Sequence, residues 1–336
     1  MKRGLAWQHL SALLVLACLL LGPRPAHAQS CSATSPNLAF PTTVNPISGT
    51  SYTTTASMTV TCGGFLLGGN VLVCLSIGSG STNTSLVPRA MSSSTSTMSY
   101  NIYSDPAYSV VWGNNVSTSP QMVATSVSTG ALGGSNHVNL TVYSSLGPSL
   151  NTAAPGSYSE SFSGSNASLL WYNYSLLGSN TCANPGISLS SGSANFPFTV
   201  TATALANCTI ATPGTLNFGS KGVIASALSA STSVSVTCTN TTPYDIGLDA
   251  GQGSGATTAL GGRKMTGAAH GGSVAYSLCR DSGCTQSWGT AIGTDTSHQI
   301  GTGSAQSWTI YGKVAAPTTQ PLPDTYNDSV LASVTY

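Results

Sequence analysis

Ala275-Tyr276-Ser277-Leu278-Cys279-Arg280-Asp281, running on to Trp288-Gly289, has a counterpart earlier in the chain. There Ser99-Tyr100-Asn101-Ile102-Tyr103-Ser104-Asp105 runs on to Trp112-Gly113, and in both copies tryptophan follows tyrosine by 12 positions. Upstream of each copy lies a cysteine pair of nearly equal span: Cys31 and Cys62, 31 residues apart, then Cys208 and Cys238, 30 apart. Downstream, Gly156-Ser157-Tyr158-Ser159-Glu160 is echoed by Asp324-Thr325-Tyr326-Asn327-Asp328. Three echoes in the same order mark a tandem of two related units.

Within both units the hydrophobic period is two. Met58, Val60 and Cys62 alternate with Thr59 and Thr61, and Val138, Leu140 and Val142 with His137, Asn139 and Thr141. Later, Val234, Val236 and Cys238 alternate with Ser233, Ser235 and Thr237, and Trp308, Ile310, Gly312 and Val314 with Ser307, Thr309, Tyr311 and Lys313. One apolar and one Ser/Thr face is the signature of half-buried strands. Short strands between Gly/Pro/Asn/Ser turns predict two all-β sandwiches, over about 29–205 and 206–336, each large enough for its own core.

The first 28 residues read as an export signal. Lys2 and Arg3 form the basic end, Leu10–Leu21 the apolar run, and Ala26-His27-Ala28 a small-x-small cleavage site. Beyond it eight cysteines remain, an even number suited to an oxidising compartment. The repeat predicts bridges Cys31–Cys62 and Cys208–Cys238; Cys279–Cys284 clips a short loop, which leaves Cys74 with Cys182. Metal ligation has little to draw on, with no Cys-x-x-Cys and three histidines beyond residue 28 (His137, His270 and His298). No cofactor is expected. Six basic residues against eight acidic ones beyond residue 28 cannot neutralise a phosphate backbone, so nucleic acid is excluded as a partner. Charged residues are only 5% of the chain while 40% are hydrophobic, a composition that suits a self-associating extracellular protein rather than a disordered one. Catalysis would need a triad or carboxylate pair assembled from isolated residues, and Glu160 and Asp328, at equivalent repeat positions, read as structural.

Both units resemble the spore coat protein U domain family, which is also the subunit family of archaic, Csu-type chaperone–usher pili. The second unit carries the pattern through Cys208, Leu216-Asn217-Phe218-Gly219, Val234–Cys238 and Arg263-Lys264-Met265. It continues through Tyr276-Ser277-Leu278, Trp288-Gly289, Trp308-Thr309-Ile310-Tyr311-Gly312 and Tyr326-Asn327-Asp328-Ser329-Val330. The first unit matches more loosely, through Cys31, Leu38-Ala39-Phe40, Cys62, Arg89, Met91, Tyr100, Trp112 and Leu140-Thr141-Val142-Tyr143. The resemblance implies immunoglobulin-like sandwiches in which a subunit lacks its last strand and borrows one, first from a periplasmic chaperone and then from a neighbouring pilin subunit at an outer-membrane usher. The physics is β-augmentation, in which an open edge supplies backbone hydrogen bonds and a groove accepts alternate side chains.

On that resemblance, Phe196–Ala204 closes the first unit, and the second, ending at Val330-Leu331-Ala332-Ser333-Val334-Thr335-Tyr336, stays open. Val330, Ala332, Val334 and Tyr336 then line the donor-strand groove. With only Gln29 and Ser30 before Cys31, a donor extension is not expected, which implies an extracellular tip subunit reached through the periplasm. The alternative is a surface or coat protein built of two closed sandwiches. For an adhesin, three apolar loops are candidates to meet an abiotic or host surface and seed a biofilm: Phe65-Leu66-Leu67 between glycine pairs, the turn Leu146–Leu150, and Leu169-Leu170-Trp171-Tyr172 with Leu176-Leu177 behind it. Residues 169–174 read equally as a strand covered on both faces. Tyr100, Trp112, Tyr276 and Trp288 read as fold determinants, and Arg89 and Arg263 as capping or pairing locally.

Overall fold

Alternating side chains become strands throughout. The computed structural model describes residues 29–41, 43–82, 84–147, 149–174 and 181–336; the expected export signal, Leu176 and Leu177 lie outside the described residues. The first half opens with β1 (Ser30–Ala33), β2 (Leu38–Ala39), β3 (Tyr52–Gly63) and β4 (Gly69–Ile77). It continues with β5 (Arg89–Ser92), β6 (Thr97–Tyr103), β7 (Trp112–Asn115), β8 (Val123–Thr129) and β9 (Asn136–Leu146). Four more strands complete it: β10 (Gly156–Phe162), β11 (Ala167–Tyr174), β12 (Ser190–Asn195) and β13 (Phe198–Ala204). The second half holds β14 (Cys208–Ile210), β15 (Leu228–Cys238), β16 (Pro243–Leu248), β17 (Arg263–Gly267) and β18 (Ser273–Cys279). It ends with β19 (Ser297–Ile300), β20 (Ala305–Val314), β21 (Tyr326–Asn327) and β22 (Ala332–Thr335).

The protein is all-β and two-domain. In the first domain an eight-stranded sheet, ordered β1-β3-β9-β6-β5-β10-β13-β2, faces a four-stranded one, β12-β11-β4-β8. In the second, a six-stranded sheet, β14-β15-β20-β18-β17-β21, faces a three-stranded one, β19-β16-β22. Each domain encloses its own core: Met58, Val60, Val73, Leu75, Ile102 and Val142 in the first, Val234, Val236, Ile246 and Leu278 in the second. A fully buried side chain of this size stabilises by about 1.5–3 kcal/mol, so the alternation read from sequence is the main cohesive term. The cysteines are bonded as Cys31–Cys62, Cys74–Cys182, Cys208–Cys238 and Cys279–Cys284. The first and third sit directly across from each other on paired strands, tying β1 to β3 and β14 to β15.

The two domains meet end to end. Strand register puts the turns 64–68 and 130–135 at one end of the first sandwich, since Cys62 faces Asn136 and Gly69 faces Thr129. The other end, where Tyr52 faces Leu146 and Gly156 faces Ala204, leads into the second domain. There the Asn240 amide donates to the Thr152 carbonyl at 2.9 Å. A Cβ on Gly303 would lie 1.7 Å from the Asn151 carbonyl oxygen, so only glycine fits that approach.

Candidate functional site

The repeated Tyr/Trp/Arg signature builds one knot twice. The buried Arg89 guanidinium donates to the carbonyls of Gly78, Ile77 and Trp112 at 2.8, 2.9 and 2.6 Å. Arg263 does the same to Asp249, Leu248 and Trp288 at 2.9, 2.9 and 2.6 Å. The Trp112 indole donates to Leu75 at 3.0 Å and Trp288 to Ile246 at 2.8 Å. Burial lowers the Arg89 pKa to about 10, which still leaves it charged at neutral pH, and lowers that of Arg263. Burial likewise pushes the phenols of Tyr100 and Tyr276 upward. The arginines and tryptophans are turned inward on backbone carbonyls and the two tyrosines are buried beside them, so the knot serves the fold.

The carboxylates at equivalent positions are also structural. Glu160 accepts from the Ser81 and Thr82 amides and the Ser81 hydroxyl. Asp328 accepts from the Gln252 amide and the Tyr276 hydroxyl, both at 2.7 Å. Burial alone would raise the pKa of Asp245; hydrogen bonds from Thr296 and His298 hold it below the ordinary value. Among the described residues no three His, Cys, Asp or Glu side chains gather as metal ligands.

The free end of the first sandwich is where sequence and structure part. Leu66 and Leu67 are 67% and 74% exposed, but Phe65 is fully buried and meets Trp171 edge to face at 5.4 Å. Phe65 is therefore corrected from a contact residue to the plug beneath the turn. Gly64, Gly68 and Gly69 take positive φ, and the reversal they permit folds the first apolar residue under while the next two stand out. Leu146 and Leu150 are buried as well: β9 runs on to Leu146, whose neighbours are Tyr52 and Tyr100, and that turn lies at the opposite, junction end. Residues 167–174 are a strand, so Leu169 and Trp171 face the core, correcting their assignment to the surface. Leu170 is exposed and Tyr172 half-buried on the outer face, beside the small cluster of Leu72, Cys74 and Tyr174.

Sequence reading missed Leu132, 85% exposed and held at φ 60°. Its amide donates to the Leu66 carbonyl at 2.9 Å and that of Gly133 to Phe65 at 3.2 Å, so the two turns are knitted into one apolar tip. The signal was available: Gly130-Ala131-Leu132-Gly133-Gly134 has the same glycine bracket as the first turn. Nearby, the Leu189 amide donates to the Asn173 carbonyl where β11 ends, and Ile187 is almost wholly exposed. The second domain knits the equivalent turns in the same way, Thr241 to Gly301 at 2.8 Å and Gly301 to Thr242 at 2.7 Å. There the residues are Thr239-Asn240-Thr241-Thr242 and Gly301-Thr302-Gly303-Ser304, and they abut the first domain. One end of the sandwich is polar and small where it docks, and leucine-bearing where it is free.

The long edges differ too. In the first domain β12 pairs with β11 antiparallel, and β13 pairs with β10 antiparallel and with β2 parallel, so the segment 190–204 spans both sheets. Gly192 permits this, because a Cβ there would lie 2.6 Å from the Trp171 indole. In the second domain β22 and β21, counterparts of β11 and β10, are edge strands paired on one side only among the described residues. The side chains such a segment would cover are correspondingly open. Leu38, Phe40, Tyr158 and Phe162 are buried, whereas Leu216, Phe218, Tyr326 and Val330 are half-buried. Ala332 and Val334 are half-buried where Ala167 and Leu169 are buried, and Tyr336, which takes the place of Trp171, is exposed. Val330, Ala332, Val334 and Tyr336 thus lie along one uncovered edge, with Leu216 and Phe218, which sequence reading had not placed there, on its far side.

A profile for the Spore Coat Protein U domain matches residues 17–164 and 194–333. None of the curated proteins compared matches the chain. Among solved structures the chain is similar to one of the CsuC–CsuE chaperone–tip adhesion subunit pre-assembly complex from archaic chaperone-usher Csu pili of Acinetobacter baumannii. Identity is 14% and the TM-score 0.46, covering 91% of this chain and 100% of that one. A chaperone–tip adhesin complex of CFA/I fimbriae biogenesis is similar at 11% identity and TM-score 0.30, covering 92% and 98%. CfaE, the adhesive subunit of CFA/I fimbria of enterotoxigenic Escherichia coli, is similar at 10% identity and TM-score 0.24, covering 91% and 99%.

Proposed function

Because the chain belongs to the spore coat protein U domain family, we propose that it is an exported, non-enzymatic tip subunit of a chaperone–usher pilus. Its first domain (29–205) attaches cells to a surface, and its second (206–336) accepts a strand from the neighbouring subunit. One observation supports this reading: the segment 190–204 pairs into both sheets of the first sandwich, while among the described residues the matching edge of the second is paired on one side only. An incomplete sandwich of this kind is what a periplasmic chaperone would protect and an outer-membrane usher would pass on to a donor strand. A coat protein of two closed sandwiches has no use for the asymmetry.

Attachment is assigned to the apolar tip of Leu66, Leu67 and Leu132, flanked by Ile187. Apolar area removed from water is worth roughly 25 cal/mol per Å², so a few hundred Å² per subunit stabilises contact by several kcal/mol. Many subunits on one cell multiply the hold. A hydrophobic abiotic or host surface is the chemistry that fits, and the outcome is biofilm growth. Replacing all three leucines with serine is expected to abolish attachment to polystyrene while fibres still assemble and display the subunit. Unchanged attachment by the triple variant, with display verified by antibody, would overturn the assignment.

A further inference from the structure

The segment that closes the first domain also describes the strand that would fit the second. Resting on the reading of the second sandwich as a strand acceptor, we infer that its groove is selective for a donor whose inward side chains shrink in the order aromatic, branched aliphatic, alanine from N to C terminus, running parallel to residues 216–218 and antiparallel to 326–330. The first domain supplies the template. Along β13 the inward residues are Phe198, Val200, Ala202 and Ala204, all buried, while Thr199, Thr201 and Thr203 point out. Phe198 faces Phe162, Val200 faces Glu160 and lies level with Leu38 of β2, and Ala202 faces Tyr158.

Each of these partners has a counterpart in the second domain. Glu160 and Tyr158 correspond to Asp328 and Tyr326, and Leu38 and Phe40 to Leu216 and Phe218, with the leucine and phenylalanine unchanged. Glu160 to Asp328 shortens one side chain by a methylene, and the largest change of size falls at the wide end. Phe162, stacked on Phe198 at 4.4 Å, is replaced by Val330, which removes a ring and leaves room for a bulky donor residue. At the narrow end a tyrosine stands in both domains, so the donor residue facing Tyr326 must be small, as Ala202 is. A groove wide at one end and narrow at the other reads direction as well as hydrophobicity.

The test uses the full chain and three peptides: residues 190–204 of this protein; the same peptide with its inward residues reversed in order; and one with serine at every inward position. Amide exchange at β22 and at residues 214–219 reports occupancy of the groove. The native-order peptide is expected to slow exchange at both, binding at least about tenfold more tightly than the reversed one, about 1.4 kcal/mol, with no protection from the serine peptide. Equal or better protection by the reversed peptide would overturn the size order and leave the acceptor reading standing. If no peptide of either order protects β22, the acceptor reading falls and this inference with it.

Discussion

The two sandwiches are built on one framework and differ in how the same positions are held. At the tyrosine–tryptophan loop, Tyr103 and Tyr108 of the first domain meet edge to face at 5.6 Å, with Tyr143 against Tyr108 at 6.0 Å. The equivalent positions in the second are Cys279 and Cys284, joined by a disulfide, with Tyr311 in place of Tyr143. Tyr108 and Cys284 have nearly the same positive φ, 55° and 54°, so the turn is one shape fastened by two kinds of clasp. The long edge differs more deeply, since β12 and β13 cover it in the first domain while, among the described residues, β21 and β22 of the second are paired on one side only. What the contrast teaches is that the Arg/Trp knot and the core strands carry the fold, while the clasp and the cover are exchangeable parts.

The largest expected effect tests the cover. Leu38 and Leu216 are the same residue at equivalent positions, one buried and one half-buried. Leu38→Ala should destabilise the first domain by about 2–5 kcal/mol, as for a large-to-small change in a closed core. Leu216→Ala should cost only about 1 kcal/mol, because most of its transfer energy is not realised without a cover. Urea unfolding of the full-length variants, followed by tryptophan fluorescence, measures both. Equal costs would break the comparison.

A smaller effect tests the clasp. Tyr103→Cys/Tyr108→Cys should form a bridge in the first domain where the second has Cys279–Cys284. Closing so short a loop is worth about 2 kcal/mol in the chain-entropy account, set against the lost ring contact. Non-reducing peptide mapping identifies the bond. Two free thiols in the oxidised protein would mean that the loops are not interchangeable.

The smallest effect is an acid response. Asp105 accepts the amides of Val110 and Ser109, and Asp281 those of Thr285 and Gln286, so both carboxyls sit below the ordinary 3.8. A depressed folded-state pKa gives stability that is complete above the unfolded value and fades as pH falls through the folded one. Below about pH 4 the loop amides should therefore lose protection relative to their intrinsic exchange rates, Val110 more than Gln286, because the disulfide still holds the second loop. Hydrogen exchange across pH 2–5 measures this; equal loss of protection in both loops would show that the disulfide does not restrain the second.

The duplication, the framework strands and the knot were legible because each rests on local pattern: period two, cysteine spacing, paired aromatics. The apolar tip was only half legible. A glycine bracket announces a turn around Phe65-Leu66-Leu67, but which side chain folds under is decided by Trp171, a residue more than 100 positions away. Leu146 was misread because Gly147 suggests a break, while cross-strand partners carry β9 up to that residue. The strand β12, Ser-Ser-Gly-Ser-Ala-Asn, looks like loop, since its inward places are Gly192 and Ala194 and the volume there belongs to its neighbour's tryptophan. Such tertiary exchanges of bulk leave no local trace.

The way β13 leaves the first domain has a mechanical side. Only residues 205–207 separate Ala204 from β14, so tension between the apolar tip and the second domain is carried by β13 along its own length. Its seven register pairs with β10 then bear the load together in shear, not one after another as in an unzipping strand. The strand that covers the long edge of the first domain is thus also its tether, and a pull along the molecule loads the fold in its stiffest direction.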